Sequence, residues 1–567
     1  MFYTVVVLSI ILGHVTETCS LPVNNEYLDA GNLTYHETLD ENYQLYWNFN
    51  SSHIIFKTVV KTNGFIGFGI SPNGGMSNAD VVIGWVKDGV PHFADRHAQG
   101  HVMPAVDTQQ DWHLVEAVEV GETTSLVFIR ELNTCDPQDL PITNSTTRII
   151  FSYHPSDPAG DDSIQYHGSH RRGTKSVLLL TPPASVKDRD PLPDDVISFE
   201  FLNHNVSVPA RDTYYHCVAW KLPKLTEKHH LIRYEPVIQQ GHEKLLHHMI
   251  LYYCSSGFDD THVGSSYDCY QQPPPAFTSC EHIFMAWAIG GKAFDYPNHL
   301  GHSLGTPQDP GYFRMETHYN NPDLRDDFVD NSGFRFFLTK HLRQFDVGIL
   351  ESGLAVDYTQ IIPPYADSFI SRGYCQSDCL GQVLADDDIH VFASGLHAHL
   401  LGNKVRARHF RKGVELPPLS EDNTYDFNYQ EMRLFPQEVT LKNGDHLIVE
   451  CDYDSRSRQA LTTGGLPATS EMCIVFLLYY PRTSLSRCLT STMYKISDDQ
   501  SPQTMFDLAQ TMDWTNPTVR ANFQRTTDEA DIRSYCWMDN NPSLFTIKDS
   551  PKPNITQVFQ PPRQCQN

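Results

Sequence analysis

Residues 390–402 read HVFASGLHAHLLG, an apolar run that carries His397 and His399 two positions apart. A strand repeats every two residues, so both imidazoles fall on one face of such a run. H-x-H on one face suits metal ligation, and acid–base chemistry as well if a Ser, Cys or carboxylate partner lies near. Outward from this stretch the same strand-like pattern continues. HLIVECDY (446–453) and EMCIVFLLYYP (471–481) follow it, and HHMILYYC (247–254) and GYFRMETHYNNP (311–322) precede it. Nearer the front, short β-rich runs recur between Gly, Asn and Asp turn signals: YQLYWNF, HIIFKTVVK, GFIGFGI, DVVIGWV, SLVFIREL and RIIFSYH. That spacing predicts a β-sandwich over residues 40–180. The proline-rich, charged stretch TPPASVKDRDPLPDD predicts a linker at 181–195. Two further β-rich regions are expected at 196–345 and 346–500. A tail at 501–567 is expected to mix a short helix near Met505–Gln510 with coil. The fold class is all-β.

The 567 residues carry 42 Lys+Arg against 68 Asp+Glu, a net charge of −26. Phosphate binding needs basic stripes, so nucleic acid is excluded as a partner. Phe2–Leu12 is almost wholly apolar, with the length of a signal-peptide core and too short to span a bilayer. A leader over residues 1–20 is expected, cut near residues 18–20. It takes Cys19 with it and leaves an even number of cysteines. Five sequons, at Asn32, Asn50, Asn144, Asn205 and Asn554, are glycosylation candidates. Together these features predict the oxidising secretory pathway, either its lumen or the exterior. The polar C-terminal stretch PNITQVFQPPRQCQN shows no transmembrane segment. Cys375 and Cys379, without a second cysteine pair at ligand spacing, are expected in disulfides and not on zinc. No H-E-x-x-H is present, which counts against a zincin protease.

Taken singly, each histidine cluster reads as readily as structural residues, and a Met in an apolar run as core filling. Taken in order, HHM at 247–249, H-Y at 318–319, H-x-H-L at 397–400 and EMC at 471–473 resemble the copper type II, ascorbate-dependent monooxygenases. The front sandwich resembles the DOMON domain that the dopamine β-hydroxylase branch of that family carries. The resemblance implies a DOMON β-sandwich followed by two jelly-roll-like β-sandwich copper domains. It implies two coppers per chain, one held by His247, His248 and His318, the other by His397, His399 and Met472. Imidazole suits either copper oxidation state, whereas a thioether favours Cu(I), so the two sites would differ electronically. Ascorbate would be the electron donor and O2 the oxidant. His397 would be catalytic through its copper, and Tyr215 would have an active-site role, its other reading being a strand aromatic beside a disulfide. The same resemblance implies the pairs Cys217–Cys269, Cys254–Cys280, Cys375–Cys488, Cys379–Cys536, Cys451–Cys473 and Cys135–Cys565. Cysteines that link chains in dopamine β-hydroxylase have no counterpart here, so any homodimer is expected to be non-covalent. Met76 and His167, the residue types that bind haem in some relatives of the front domain, are read as surface and core residues.

On substrate, the resemblance points to a small amine-like or aromatic molecule. The peptide-hydroxylating branch anchors a carboxylate with an arginine two residues before H-x-H, and here that position is Gly395. Its asparagine and tyrosine after the ligand methionine are replaced by Ile474 and Phe476. Glu316, two residues before His318, is placed to face a cationic amine, or else is a solvent-facing strand carboxylate. The competing readings are a peptidylglycine-type α-hydroxylase and a catalytically silent binding protein that keeps the fold. The presence of all six ligands counts against the silent reading.

Overall fold

The computed structural model describes residues 28–565 except 30, 32, 182–190, 255–256, 272, 281, 385–387, 495–501, 539–540 and 562–564. The expected leader, Asn32 and most of the expected linker lie outside the described residues.

Three two-sheet units follow one another along the chain. In the first, a five-stranded sheet (Tyr35–Asp40, Tyr43–Phe49, His53–Val60, Thr123–Glu131, His113–Val120) faces a six-stranded one built around Ile66–Ser71 and Ala79–Lys87. Tyr43–Phe49 alternates buried and half-buried positions, so Tyr43, Leu45 and Trp47 point inward. They meet Phe56, Phe68, Trp112 and Phe128 in one aromatic-rich core. The second unit pairs a sheet containing His229–Val237 and Gly333–Thr339 with a five-stranded sheet. That sheet's order is Ser266–Asp268, Thr213–Lys221, Tyr312–Asn320, Leu246–Tyr253, His282–Ala288. The third has a seven-stranded sheet in which Ile389–Ala398 lies between Arg433–Leu441 and Cys473–Tyr480. Its partner sheet includes Phe369–Cys375, Asp445–Tyr453 and Gly402–Arg411. The core of the second unit runs on into Phe392, Ala393, Leu478 and Tyr480 of the third, so these two share an apolar interface.

The tail departs from the expected helix and coil. Besides the helix Pro502–Gln510, a second helix spans Pro517–Glu529, and Asp531–Met538 and Asn541–Ser550 form strands on the edge of the seven-stranded sheet. The second helix starts where Asn516 caps it, its side chain accepting from the Thr518 N–H, with Pro517 at the first helical position. Asp531–Met538 pairs with Leu485–Met493 and puts Cys536 opposite Cys488. Its alternation is real, but Arg533 and Ser534 dilute the apolar signal that the pattern rests on.

Six disulfides join Cys135–Cys565, Cys217–Cys269, Cys254–Cys280, Cys375–Cys488, Cys379–Cys536 and Cys451–Cys473. The first ties the front sandwich to the C-terminal stretch across 430 residues. Asn144, Asn205 and Asn554 are exposed. Asn50 is half-buried, its side-chain oxygen accepting from the backbone N–H of Ser52 and His53. Among the described residues no helix is long and apolar enough to cross a membrane. Cys451–Cys473 anchors the strand that begins directly after Met472, and removing a native disulfide costs about 2–5 kcal/mol. The double variant Cys451→Ser, Cys473→Ser is therefore expected to lose about that much stability in denaturant unfolding. An unchanged midpoint and slope would show that this bridge constrains nothing.

Candidate metal centre

Adjacent residues on a regular strand face opposite ways, so His247 and His248 need a device to face one site. The structure supplies a β-bulge. On the strand Leu246–Tyr253 the pairing passes from Leu246 opposite Tyr319 directly to His248 opposite His318, leaving His247 as the extra residue. All three imidazoles then converge, with ligand nitrogens within 4.8 Å of one another. Nδ1 of His248 lies 3.3 Å from Nδ1 of His247 and 3.4 Å from Nδ1 of His318. Two imidazole nitrogens bound about 2.0–2.1 Å from one transition metal sit roughly 3.3–3.6 Å apart at tetrahedral to trigonal angles. The cluster therefore fits a metal ion, and copper accepts imidazole in either oxidation state. Tyr215, opposite His318 in the sheet, stacks on its ring at 4.3 Å and 10°, and its hydroxyl donates to the Leu466 carbonyl at 3.4 Å. Both readings of Tyr215 meet here, since Cys217 beside it is bridged to Cys269.

The second cluster is built from two strands. His397 and His399 emerge at the end of Ile389–Ala398 with ring centroids 5.1 Å apart, and Met472 lies at the start of the neighbouring strand. Each imidazole is oriented through Nδ1. His397 donates to the Gln430 side-chain oxygen at 2.7 Å and His399 to the Ser470 carbonyl at 3.1 Å. With Nδ1 protonated and held, Nε2 carries the free lone pair, the arrangement that metal-bound histidines use. Glu471 is fully buried and gathers the corner. Its carboxylate accepts from the backbone N–H of His399 at 2.9 Å and of Leu401 at 2.6 Å. The Met472 carbonyl accepts from the Tyr453 hydroxyl at 2.6 Å, while Cys473 turns the other way into its disulfide. A soft thioether beside two imidazoles fits copper, above all Cu(I).

Phe427 lies between the clusters, stacked on His247 at 4.1 Å and edge-on to His399 at 6.2 Å. One cavity of about 490 Å³ is lined by His248, His397, His399 and Met472 together with Tyr215, Glu316, Gly395, Ile474 and Phe476. Burial, reinforced by the neighbouring imidazoles, pushes His247 down to about 4 and His399 down to about 3. The histidines are thus neutral at physiological pH, with lone pairs free for a metal. Sequence reasoning did not single out Gln430, Phe427 or Glu471. The first two lie in no motif, and Glu471 was visible only as the first letter of EMC. Met76 and His167, read from the sequence as surface and core, are both half-buried and line a separate cavity of about 970 Å³ in the front sandwich.

Comparison with known proteins gives the same picture for three stretches between residues 39 and 501. Residues 199–326 match the copper type II ascorbate-dependent monooxygenase N-terminal domain, residues 345–501 its C-terminal domain, and residues 39–154 the DOMON domain. The chain is 45% identical over 466 residues to human DBH-like monooxygenase protein 1, covering 81% of this chain and 75% of that one. Against mouse DBH-like monooxygenase protein 2 the identity is 35% over 465 residues, covering 81% and 73%. Human dopamine beta-hydroxylase is 35% identical over 462 residues, covering 80% and 74%.

Two outcomes follow from the site. Met472→Ala should fold and keep the copper of the first cluster. Its second site should weaken for Cu(I) by more than the roughly 10–100-fold that loss of an outer hydrogen-bond partner costs. Chelator competition on the reduced protein reads this directly, and undiminished affinity would remove Met472 from the ligand set. Protons compete for a ligand only below its pKa, so copper retention should stay flat from about pH 8 to about pH 5 and fall below that. Steady loss beginning near the ordinary histidine value of about 6.5 would show that the imidazoles titrate as exposed ones do.

Proposed function

The chain belongs to the copper type II, ascorbate-dependent monooxygenases, and on that premise we propose that it hydroxylates a C–H bond of a small amine-bearing aromatic molecule in the cavity between its histidine clusters. It is an oxidoreductase that uses copper and ascorbate. His247, His248 and His318 would hold one copper, and His397, His399 and Met472 the other. Copper, reduced by ascorbate, supplies the electron transfer and O2 chemistry that no side chain here can.

The observation that carries the substrate reading is the charge of the cavity wall. Glu316, expected from the sequence either to meet an amine or to face solvent, is 3% exposed and lines the cavity. It accepts from the Tyr270 hydroxyl at 3.2 Å, and its nearest cation, Arg314, stands 3.9 Å away. Burial pushes its carboxyl above the ordinary range, with Arg314 opposing. Glu431, also on the wall, is pushed up by burial to about 7 and takes hydrogen bonds from the Tyr429 hydroxyl and the Lys292 N–H. Of the other two acids on the wall, Glu351 is already matched by Arg487 at 2.8 Å and Asp357 accepts from the Ser491 hydroxyl at 2.7 Å. An ammonium group entering this wall would recover the desolvation cost of Glu316 and Glu431, whereas a carboxylate would add to it.

At position 395 the lining offers a peptide carboxylate no charged or donor side chain. A Cβ on Gly395 would stand 2.6 Å from the sulfur of Met432, with Phe476 at 3.8 Å. Ile474 and Phe476, opposite His397 and Gly395 in the sheet, offer apolar contact instead. Tyr215, Tyr270 and Trp287 add aromatic surface for a ring to pack on. The six disulfides and surface sequons support folding in the secretory lumen or outside the cell. Every cysteine after Cys19 is used within the chain, so two copies would associate without a covalent link.

The test is ascorbate-dependent O2 consumption with phenylethylamines set against a glycine-extended peptide. The amines should turn over faster, and faster hydroxylation of the peptide would overturn the reading. Within that assay, Glu316→Gln keeps an acceptor for Tyr270 but removes the charge. It should raise KM for the amine about tenfold, equivalent to about 1.4 kcal/mol, with a smaller change in kcat. An unchanged KM would take Glu316 out of substrate recognition.

A further inference from the structure

The segment 422–433 is gripped at one side by the front sandwich. Asp422, 1% exposed, accepts from the Thr146 N–H at 3.1 Å and from its hydroxyl at 2.5 Å. Arg433, at the far end of the segment, closes on the same carboxylate and also donates to the Thr146 hydroxyl at 3.1 Å. Arg148 donates to two consecutive carbonyls, those of Thr424 at 3.0 Å and Tyr425 at 2.7 Å. Such a fork fixes a backbone path more tightly than a single bond does.

The other side of the same segment touches both histidine clusters. The Tyr425 hydroxyl donates to the Ala398 carbonyl at 2.7 Å and accepts from the Ala398 N–H at 3.1 Å, which pins the residue between His397 and His399. Phe427 covers His247. Gln430 accepts from His397, and its own amide donates to the Phe427 carbonyl at 2.7 Å, so the segment's backbone decides which way Gln430 faces. The imidazole that Gln430 orients thus depends on a loop whose shape is set from another unit of the chain.

We propose that the front sandwich is a positioning device for the His397–His399 site: Thr146 and Arg148 hold the path of 422–433, and through Tyr425 and Gln430 fix the ring and tautomer of His397. Neither residue touches a histidine or the cavity, so both are positioning residues. Without the Arg148 fork two carbonyls lose their charged donor. The segment then relaxes, and the Nδ1–H of His397 loses the fixed acceptor that keeps its Nε2 lone pair available. The first cluster meets this route only where Phe427 packs on His247. Its geometry comes from the bulge at His247 and the pairing of His248 with His318.

The inference rests on the copper assignment, and the experiment separates the two. In the full-length protein, copper is titrated at both sites by chelator competition, alongside the Cu(II) electron paramagnetic resonance spectrum and hydrogen exchange of 422–433. Arg148→Met should weaken the second site about tenfold, the low end of outer-partner losses, and the first, which meets the segment only through Phe427, by clearly less. The second copper's spectrum should shift and exchange in 422–433 should rise. Arg148→Lys, which restores one donor, should recover part of the affinity. Lys87→Met, which removes a bond to the Pro158 carbonyl inside the same sandwich, should change neither site. Native affinity at both sites in Arg148→Met overturns the proposal, as does equal weakening of both sites with a lowered unfolding temperature. A native chain that binds fewer than two coppers overturns the copper assignment and this inference with it.

Discussion

A buried imidazole lone pair must find a partner or cost free energy, and the centre of this molecule is arranged around six side chains whose free donors converge on shared points. Nδ1 atoms 3.3 and 3.4 Å apart cannot all be satisfied by one another. An ion between them would satisfy these lone pairs, and burial that keeps the rings neutral favours that state. Glu471, Gln430 and the Ser470 carbonyl at the second site satisfy what remains, so that the ligand atoms alone are left open.

The two sandwiches that carry the ligands are joined by an apolar core that runs from one into the other, and this sets how their sites face. Phe427 keeps an aromatic ring, and not bulk solvent, between His247 and His399. Of the residues that line the cavity, Glu316 comes from the second unit, whereas Glu431, Ile474 and Phe476 come from the third. Recognition and chemistry in this cavity therefore depend on the same inter-unit packing. The front sandwich enters the problem through Thr146 and Arg148, and its Cys135–Cys565 bridge limits how far it can move from the rest.

Much of the architecture was legible in the sequence because strands write themselves with a period of two. The runs around Tyr43, Ile66, Met249 and Val391 became strands of the three units, and the H-x-H at 397–399 presents both rings together. The tail was misread as coil beyond its first helix, because Asp531–Met538 holds its place next to the sheet edge through pairing on both sides and the Cys379–Cys536 bridge more than through its apolar content.

By itself the sequence determined the ligand types, the twelve cysteines that follow Cys19 and the order of β-rich units, since these depend on composition and local periodicity alone. Tertiary structure decided everything that requires distant residues to meet. A one-residue bulge, set by cross-strand register and not by local preference, is what lets neighbouring His247 and His248 face the same way. Whether Glu316 met solvent or a cavity turned on which sheet closed over it. Gln430 and Phe427 acquired roles only when the segment 422–433 was folded between the front sandwich and the histidines. No local pattern encodes such a contact, because its free energy comes from surfaces more than a hundred residues apart in the chain.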